Sequence, residues 1–415
     1  MPAMIALPKP LPPRRLALRV TRDAQRALRA GHPWLYDRSI TSQSASGAPG
    51  DLAVIFDDHR RFLAVGLYDP ASPLRVRVLQ HDQPAPIDAA FLAQRLAAAA
   101  QRRASLLAAS PRTDGYRLIY GEGDGLPGLV IDRYDRILVI KLYSAAWVPW
   151  LHGLLPALTE QQPAEWVVLR LSRAVQAQPH ALLGLADGVT LAGAPPPEPW
   201  TFNENGLCFE VDVLRGQKTG FFLDQRDNRA RVETLAAGRS MLNVFAYTGG
   251  FSLYAARGGA SAVTSLDLSA PALAAAVRNF SLNRHLPAVA AAQHDIIVAD
   301  AFAGLKQLAA AGQRFSLVVV DPPAFAKQQS EIPAALRAYE RLARLAAGVV
   351  QSRGLLVMAS CSSRVSATEF YAAVRRGAAA AGRTFHEFDH TEHALDHPSP
   401  FPEGAYLKCL YAEVT

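Results

Sequence analysis

Four short segments in the second half of the chain hold residue types that could do chemistry: KTGFFLDQRDNR from Lys218, then NVFAYTGGF, VVVDPPAF and ASCSS, the last ending at Ser363. Each falls where a predicted strand meets a turn. Cys361 follows the apolar run GLLVMAS. A free thiol is only a few per cent ionised at neutral pH, yet it is nucleophilic enough to add to carbon 6 of a pyrimidine. Buried cysteines are usually inert filler, which suits Cys208 and Cys409 inside apolar strands; Ser360, Ser362 and Ser363 instead surround Cys361 with a polar loop expected to expose it.

Asp321-Pro322-Pro323 ends a strand that is apolar throughout and fixes a rigid, extended exit. Its carbonyls and carboxylate suit a flat base, the plain alternative being a helix-start aspartate before two prolines. In NVFAYTGGF a buried strand turns into a helix at Tyr247, Thr248, Gly249 and Gly250. The glycine pair lets backbone approach a ligand, and the helix start offers free amides. The pattern is not G-x-G-x-x-G, which favours a ligand with a carboxylate and a ribose over a dinucleotide. Asp267 ends the next strand, where a carboxylate can accept from both ribose hydroxyls, and Asp300 follows about one strand later, placed for an adenine amino group. Either aspartate alone reads equally well as a helix N-cap. Lys218, Gln225, Arg226 and Arg229 could bridge cofactor or RNA phosphate, while Phe221 and Phe222 pack on a flat ring or on the sheet. A nucleotide-type cofactor pocket, a clamp and a lone thiol together suggest methyl transfer to a pyrimidine.

The elements that must position these residues alternate regularly. Strand MLNVFA precedes helix GFSLYAARG, AVTSLDL precedes PALAAAVRNFSLN, FSLVVVD precedes AALRAYERLARLAAG, and GLLVMAS closes the series. Apolar strands in such alternation imply a buried parallel sheet with helices on both faces, which binds ligands at its carboxyl edge. AGAPPPEPW, residues 192–200, reads as a linker because consecutive prolines favour extended chain. Ala89 to Ser110 has helical periodicity, and GEGDGLPG leads into strand VIDRY, so it is a hairpin turn rather than a phosphate loop. The opening residues alternate short β-like runs with turns, behind a basic segment of helical spacing; Trp34 and Tyr36 there read as core. The expectation is an α/β protein of three domains: a small β-rich one at 1–80, an α+β one at 81–194 and a Rossmann-like one at 195–415.

Composition fits this division. At 415 residues the chain exceeds one ordinary core, and half of it is apolar. Residues 1–80 carry 12 Lys and Arg against 6 Asp and Glu, so most of the net charge of +7 lies there, as a polyanion anchor or simply a solvated basic surface. No apolar run reaches the roughly 20 residues that span a bilayer, and MPAMIALPKPLPPRRLALRV places its basic residues after a Pro-broken stretch, unlike a secretory signal. A cytoplasmic protein with no membrane contact is expected. The three cysteines match neither zinc-ligand nor disulfide spacing, so no metal is expected.

Taken together, the residues resemble the RlmI-like family of class I S-adenosylmethionine-dependent 23S ribosomal RNA methyltransferases. The likeness runs over nearly the whole chain, through GHPWLYDRSI, EGDGLPGLVIDRY, GQKTGFFLDQRDNR, FAYTGGF, DPPAF, SCS and DHP…PEGAYLKC; residues 144–200 hold no family motif. It implies an N-terminal PUA-type RNA-binding domain, a central α+β domain that helps form an RNA groove, and a C-terminal methyltransferase. It also implies S-adenosyl-L-methionine as cofactor and 23S ribosomal RNA as partner, and leaves a homodimer open. The expected cofactor residues are Tyr247, Thr248, Gly249, Gly250, Asp267 and Asp300, with Phe222, Gln225, Arg226, Asp321 and Pro322. Lys218, Arg229 and Pro323 are expected to meet substrate. Cys361 stands where family members that make 5-methylcytidine keep their nucleophile, and Asp321 is expected to hydrogen-bond ring nitrogen 3. DPPAFAK lacks the second thiol of double-cysteine enzymes, so the base that removes the carbon 5 proton is not assigned. Two other readings stand: nitrogen methylation of a guanine or adenine with Cys361 a bystander, and a noncatalytic RNA-binding assembly factor.

Overall fold

The structure, a computed structural model, describes residues 4, 5, 7 and 12–415. Most of the Pro-broken opening stretch lies outside the described residues. The chain divides into two compact units, one of Met1–Asn205, Val211–Leu223 and Asp396–Ser399, the other of Gly206–Glu210, Asp224–Leu395 and Pro400–Thr415.

The first unit begins with β1 (Arg15–Val20), α1 (Arg22–Arg29), β2 (Trp34–Tyr36), β3 (Ile40–Gln43), β4 (Leu52–Phe56), β5 (Phe62–Tyr68) and β6 (Leu74–His81). Their strands form a six-stranded sheet in the order β2-β6-β5-β4-β1-β3. Strict alternation in RLALRV buries Leu16, Leu18 and Val20 and leaves the arginines outside. Then come α2 (Ala89–Ala109), β7 (Gly115–Tyr120), β8 (Leu129–Tyr134), β9 (Ile137–Leu142), α3 (Leu151–Gln161), β10 (Trp166–Leu171), α4 (Arg173–Gln176) and β11 (Thr190–Ala192), whose strands form a second sheet in the order β11-β10-β9-β8-β7. Asp88 caps α2 by accepting from the Phe91 amide at 2.9 Å. Phe91, Leu92, Leu96, Ala99, Arg103 and Leu106 share its buried face. The buried Arg103 is satisfied by a bidentate pair with Asp124, both contacts 2.7 Å. The Gly-rich turn from 121 to 128 joins β7 to the antiparallel β8. β12 (Trp200–Glu204) begins at the last residue of the 192–200 stretch, in this unit.

The second unit holds most of β13 (Leu207–Val211), then α5 (Arg226–Thr234), β14 (Ser240–Val244), α6 (Gly250–Arg257), β15 (Ala262–Asp267), α7 (Ala270–Leu282), α8 (Pro287–Ala291), β16 (Gln293–Val298) and α9 (Ala301–Ala310). It continues through β17 (Phe315–Val320), α10 (Ile332–Val349), β18 (Val350–Ser360), α11 (Ala367–Ala380), β19 (Phe385–Thr391) and β20 (Lys408–Val414). The seven-stranded sheet runs β16-β15-β14-β17-β18-β20-β19. Its first five strands are parallel, as βαβ crossovers require, and Leu317 to Val320 at its centre are fully buried.

GLLVMAS does not close this sheet. β20 pairs antiparallel with β18, and β19 pairs antiparallel with β20, so the sheet is mixed. The polar FHEFDHT of β19 alternates exposure along an edge, which hides it from a search for apolar runs. For the same reason β16 is inconspicuous: as the opposite edge strand it leaves Ile296 and Val298 exposed.

Candidate active site

Because sequential crossovers build the sheet outward from β14, first through β15 to β16 and then back through β17 to β18, strand order reverses between β14 and β17. In open α/β sheets the crevice at that reversal is where ligands bind. The loop 245–250 leaves β14 on one side of it and Asp321-Pro322-Pro323 leaves β17 on the other. Asp267, Asp300 and Cys361 end or follow the neighbouring strands β15, β16 and β18, all at the same carboxyl edge.

The loop after β14 is held in a costly shape. Phe245 and Tyr247 have φ of 63° and 48°, positions that side-chain-bearing residues avoid, and Gly249 has φ of 77° as the residue preceding α6. Asp267 braces it: one carboxylate oxygen accepts from the Tyr247 amide and the other from the Ser269 amide, both at 2.8 Å. Asn279, fully buried on α7, donates to the Thr248 carbonyl at 2.9 Å. The hydroxyl Oγ1 of Thr248 is buried with no hydrogen-bond partner. A buried hydroxyl left unsatisfied beside a helix start is a cost that a bound polar group would remove, so this loop fits a ligand with acceptor or donor atoms.

The two aspartates differ. Asp300 caps α9 through the Ala303 amide at 3.1 Å, whereas Ser269, not Asp267, caps α7. Leu268, next to Asp267 in the chain, is 73% exposed, an unusual exposure for a large apolar side chain and one that carried no signal in the sequence.

Cys361 is half-buried, and its Sγ lies 3.8 Å from the Pro322 carbonyl, so the thiol and the Asp-Pro-Pro exit meet. The serines around it act differently from expectation. Ser360 and Ser362 are fully buried, Ser360 donating to the Tyr339 hydroxyl at 2.8 Å and Ser362 to the Ala326 carbonyl at 3.1 Å. They are struts, and the thiol between them remains half-buried. Burial above all, with the nearby charges of Cys361 and Asp321 adding, pushes the Tyr339 phenol up to about 12, so it stays neutral at working pH. Cys409, one strand over, is fully buried and likewise pushed up to about 12 by burial, as an inert thiol should be. Cys208 lies half-buried in β13, its amide and carbonyl both bound to Asn283.

The KTGFFLDQRDNR segment is split between the units. Lys218 and Phe222 belong to the first, where the ammonium of Lys218 lies 4.6 Å from the Phe222 ring centroid. Their loop is fastened to one face of the second sheet: Lys141 donates to the Lys218 carbonyl at 2.7 Å, Arg170 to the Val213 and Gly216 carbonyls, and Phe221, which is buried, donates its amide to the Tyr134 hydroxyl at 3.2 Å. Gln225, Arg226 and Arg229 belong to the second unit and are buried, with exposures of 3%, 1% and 2%. Gln225 accepts from Asn228, Arg226 donates to Asp227, and Arg229 lies over the Tyr254 ring. Tyr247, Thr248, Gly249, Gly250, Asp267, Asp300, Asp321, Pro322, Pro323 and Cys361 thus share one sheet edge of the second unit.

Comparison with known proteins identifies the family. The family model for S-adenosylmethionine-dependent methyltransferases matches residues 126–409, and that for PUA-like domains matches residues 18–81. A ribosomal RNA large subunit methyltransferase of Deinococcus radiodurans is 49% identical over 403 residues, covering 96% of this chain and 98% of its own. A ribosomal RNA large subunit methyltransferase I of Photobacterium profundum is 38% identical over 392 residues, 94% and 97% of the two chains. In fold, the chain is similar to an S-adenosylmethionine-dependent methyltransferase from Streptococcus mutans, with a TM-score of 0.80, 23% identity and coverage of 96% and 99%. It is similar also to a methyltransferase complexed with SAH, with a TM-score of 0.81, 23% identity and coverage of 96% and 100%. The reversal of strand order beside β14, an orphaned hydroxyl beside α6 and these matches lead to one conclusion: the chain belongs to the RlmI-like family of S-adenosylmethionine-dependent methyltransferases, with a PUA-like domain at its N-terminal end.

Proposed function

We propose that the protein methylates carbon 5 of a cytidine in 23S ribosomal RNA of the large subunit, with Cys361 as covalent nucleophile. One observation carries the reading: a half-open thiol meets the Asp-Pro-Pro exit at 3.8 Å on the strand next to it. The relatives at 49% and 38% identity are named as ribosomal RNA large subunit methyltransferases, which supports the choice of RNA. The basic PUA-like domain would grip the RNA backbone, and the target base would be unstacked into the crevice. A protein acting on ribosomal RNA would work in the cytoplasm, and domain limits near 80 and 194 would suit this division of labour.

Thr248, Gly249 and Gly250 would hold the cofactor's amino-acid end with Tyr247, Asp267 its ribose and Asp300 its adenine amino group, while Leu268 would cover the adenine face. Phe222, Gln225, Arg226, Asp321 and Pro322 complete the proposed cofactor set, and Lys218, Arg229 and Pro323 the substrate set. S-adenosylmethionine would supply a methyl group on a sulfonium. The Cys361 thiol loses its proton to solvent, and the sulfur adds to carbon 6, the electron pair of the 5,6 double bond moving toward carbon 5. Asp321 in its protonated form donates a hydrogen bond to ring nitrogen 3, where negative charge gathers. After carbon 5 is methylated, loss of its proton to a base restores the double bond and expels the thiolate.

Cys361→Ala should abolish 5-methylcytidine, read by mass mapping of ribosomal RNA, and leave S-adenosylmethionine binding within about twofold, since the thiol makes no cofactor contact in this reading. RNA carrying 5-fluorocytidine should trap a covalent complex in the unsubstituted protein only. Methylation retained by Cys361→Ala would sink the nucleophile assignment and favour a nitrogen acceptor.

A further inference from the structure

Lys408, the first residue of β20, has no role in the reaction as written above, yet it is 3% exposed and lies directly across the ladder from Ser360. Its ammonium donates to the carbonyls of Ser362 and Val365, the turn that leaves Cys361. Among the described residues it makes no ion pair. The charges that act on it are Cys361 and Glu369, and Glu369 is already engaged at the start of α11, accepting from the Ser366 amide at 3.0 Å and hydroxyl at 2.6 Å. Burying an ammonium with carbonyls alone is expensive, and the expense shows: burial brings Lys408 down to about 8, against an ordinary 10.5. A neutral glutamine could fasten two carbonyls at less cost. A cation at this place gains its return when the thiol beside it becomes an anion.

We propose that Lys408 is a positioning residue for Cys361: it pins the loop that presents the thiol and stabilises the thiolate that attacks the base. The proposal rests on the reading of Cys361 as nucleophile. Glu369 on α11 also acts on Lys408, and Cys361 and Asp321 both act on Tyr339 of α10, which is neutral at working pH. With Glu369 engaged in its cap, Lys408 is a cation whose charge and that of the sulfur act on each other.

The test is the pH dependence of iodoacetamide alkylation at Cys361, followed by peptide mass spectrometry in a Cys208→Ser background; Cys409 is fully buried and does not compete. Lys408→Gln keeps the hydrogen bonding and removes the charge. Losing one adjacent opposite charge should raise the midpoint of the profile by about one pH unit. Because a more basic thiolate is the better nucleophile, the two profiles should cross, Lys408→Gln being about threefold slower at neutral pH and about threefold faster on the alkaline plateau. Lys408→Arg, which restores charge, should return the midpoint toward the unsubstituted value. A merely structural lysine would change the rate at all pH values together, and that parallel shift would overturn the proposal. Should every substitution at 408 unfold the chain, the unsubstituted protein decides: a Cys361 midpoint at or above that of free cysteine in the same buffer overturns it, and a lower midpoint supports it. Failure of the nucleophile reading would look different, with crossing profiles but 5-methylcytidine still made by Cys361→Ala.

Discussion

Replacing Gly249 by alanine tests whether the shape of the loop after β14 is what the cofactor requires. At φ of 77° an alanine pays about 1–2 kcal/mol for left-handed backbone. Its Cβ would also stand 2.8 Å from the Ala276 Cβ and 3.4 Å from the Ala276 Cα on α7, so a helix or the loop must move. Overpacking of this kind costs about 1–3 kcal/mol, for a total of about 2–5 kcal/mol. Gly238 separates the two parts, since it too has positive φ, 70°, but nothing lies within 4 Å of its added Cβ. Gly238→Ala should therefore cost only the backbone part, about 1–2 kcal/mol of unfolding free energy, with S-adenosylmethionine affinity unchanged. For Gly249→Ala the cost divides: a loop that keeps its shape lowers stability, and a loop that relaxes weakens cofactor binding by about tenfold per 1.4 kcal/mol. Urea unfolding and calorimetric titration with S-adenosylmethionine, run on both variants, measure the two shares. If Gly249→Ala matches the unsubstituted protein in both measurements, or if Gly238→Ala weakens binding as much, the loop does not act as argued.

Thr248→Val removes the orphaned hydroxyl and keeps the shape. Stability of the free protein should hold or rise by up to about 1 kcal/mol, while S-adenosylmethionine affinity falls about tenfold in calorimetry; an unchanged affinity would show that the hydroxyl serves no ligand. His294 on β16 stacks on Phe280 with centroids 3.7 Å apart and bonds Ser265 at 2.9 Å, and burial takes its imidazole down to about 4 from 6.5. Between those values the unfolded chain holds the extra proton, so stability is lost as pH falls from 6.5 to about 4. The full shift corresponds to about 3 kcal/mol, or about 2 kcal/mol after discounting for partial exposure. His294→Gln should flatten the melting-temperature profile across that window, and an unchanged slope would refute the assignment.

Much of this arrangement was legible because its signals are local. An apolar run followed by Gly-Gly, by Asp-Pro-Pro or by Ser-Cys-Ser marks a strand end wherever it occurs, and the sheet edge collects those ends. What was hidden depends on contacts distant in sequence. Asp267 and Asp300 look alike as residues, but Asp267 accepts from the Tyr247 amide, 20 residues back in the chain, while Asp300 caps α9. The serines beside Cys361 read as an exposing loop, but Tyr339 and Ala326 draw Ser360 and Ser362 inward. Lys408 lies within the PEGAYLKC segment, but its role comes from the ladder that sets it opposite Ser360. β19 escaped notice for a simpler reason, that an edge strand can be as polar as a loop.

The placement of β20 has a bearing on how the catalytic half is made. β18 becomes an interior strand only once Lys408–Val414 has threaded between it and β19. A nascent chain synthesised as far as Thr391 would still present an open groove along the apolar length of β18, with the turn after Cys361 untethered. The turn that presents the thiol is thus fastened from a strand 47 residues further along the chain than Cys361, and a chain cut short before Lys408 would lack the ammonium that holds it.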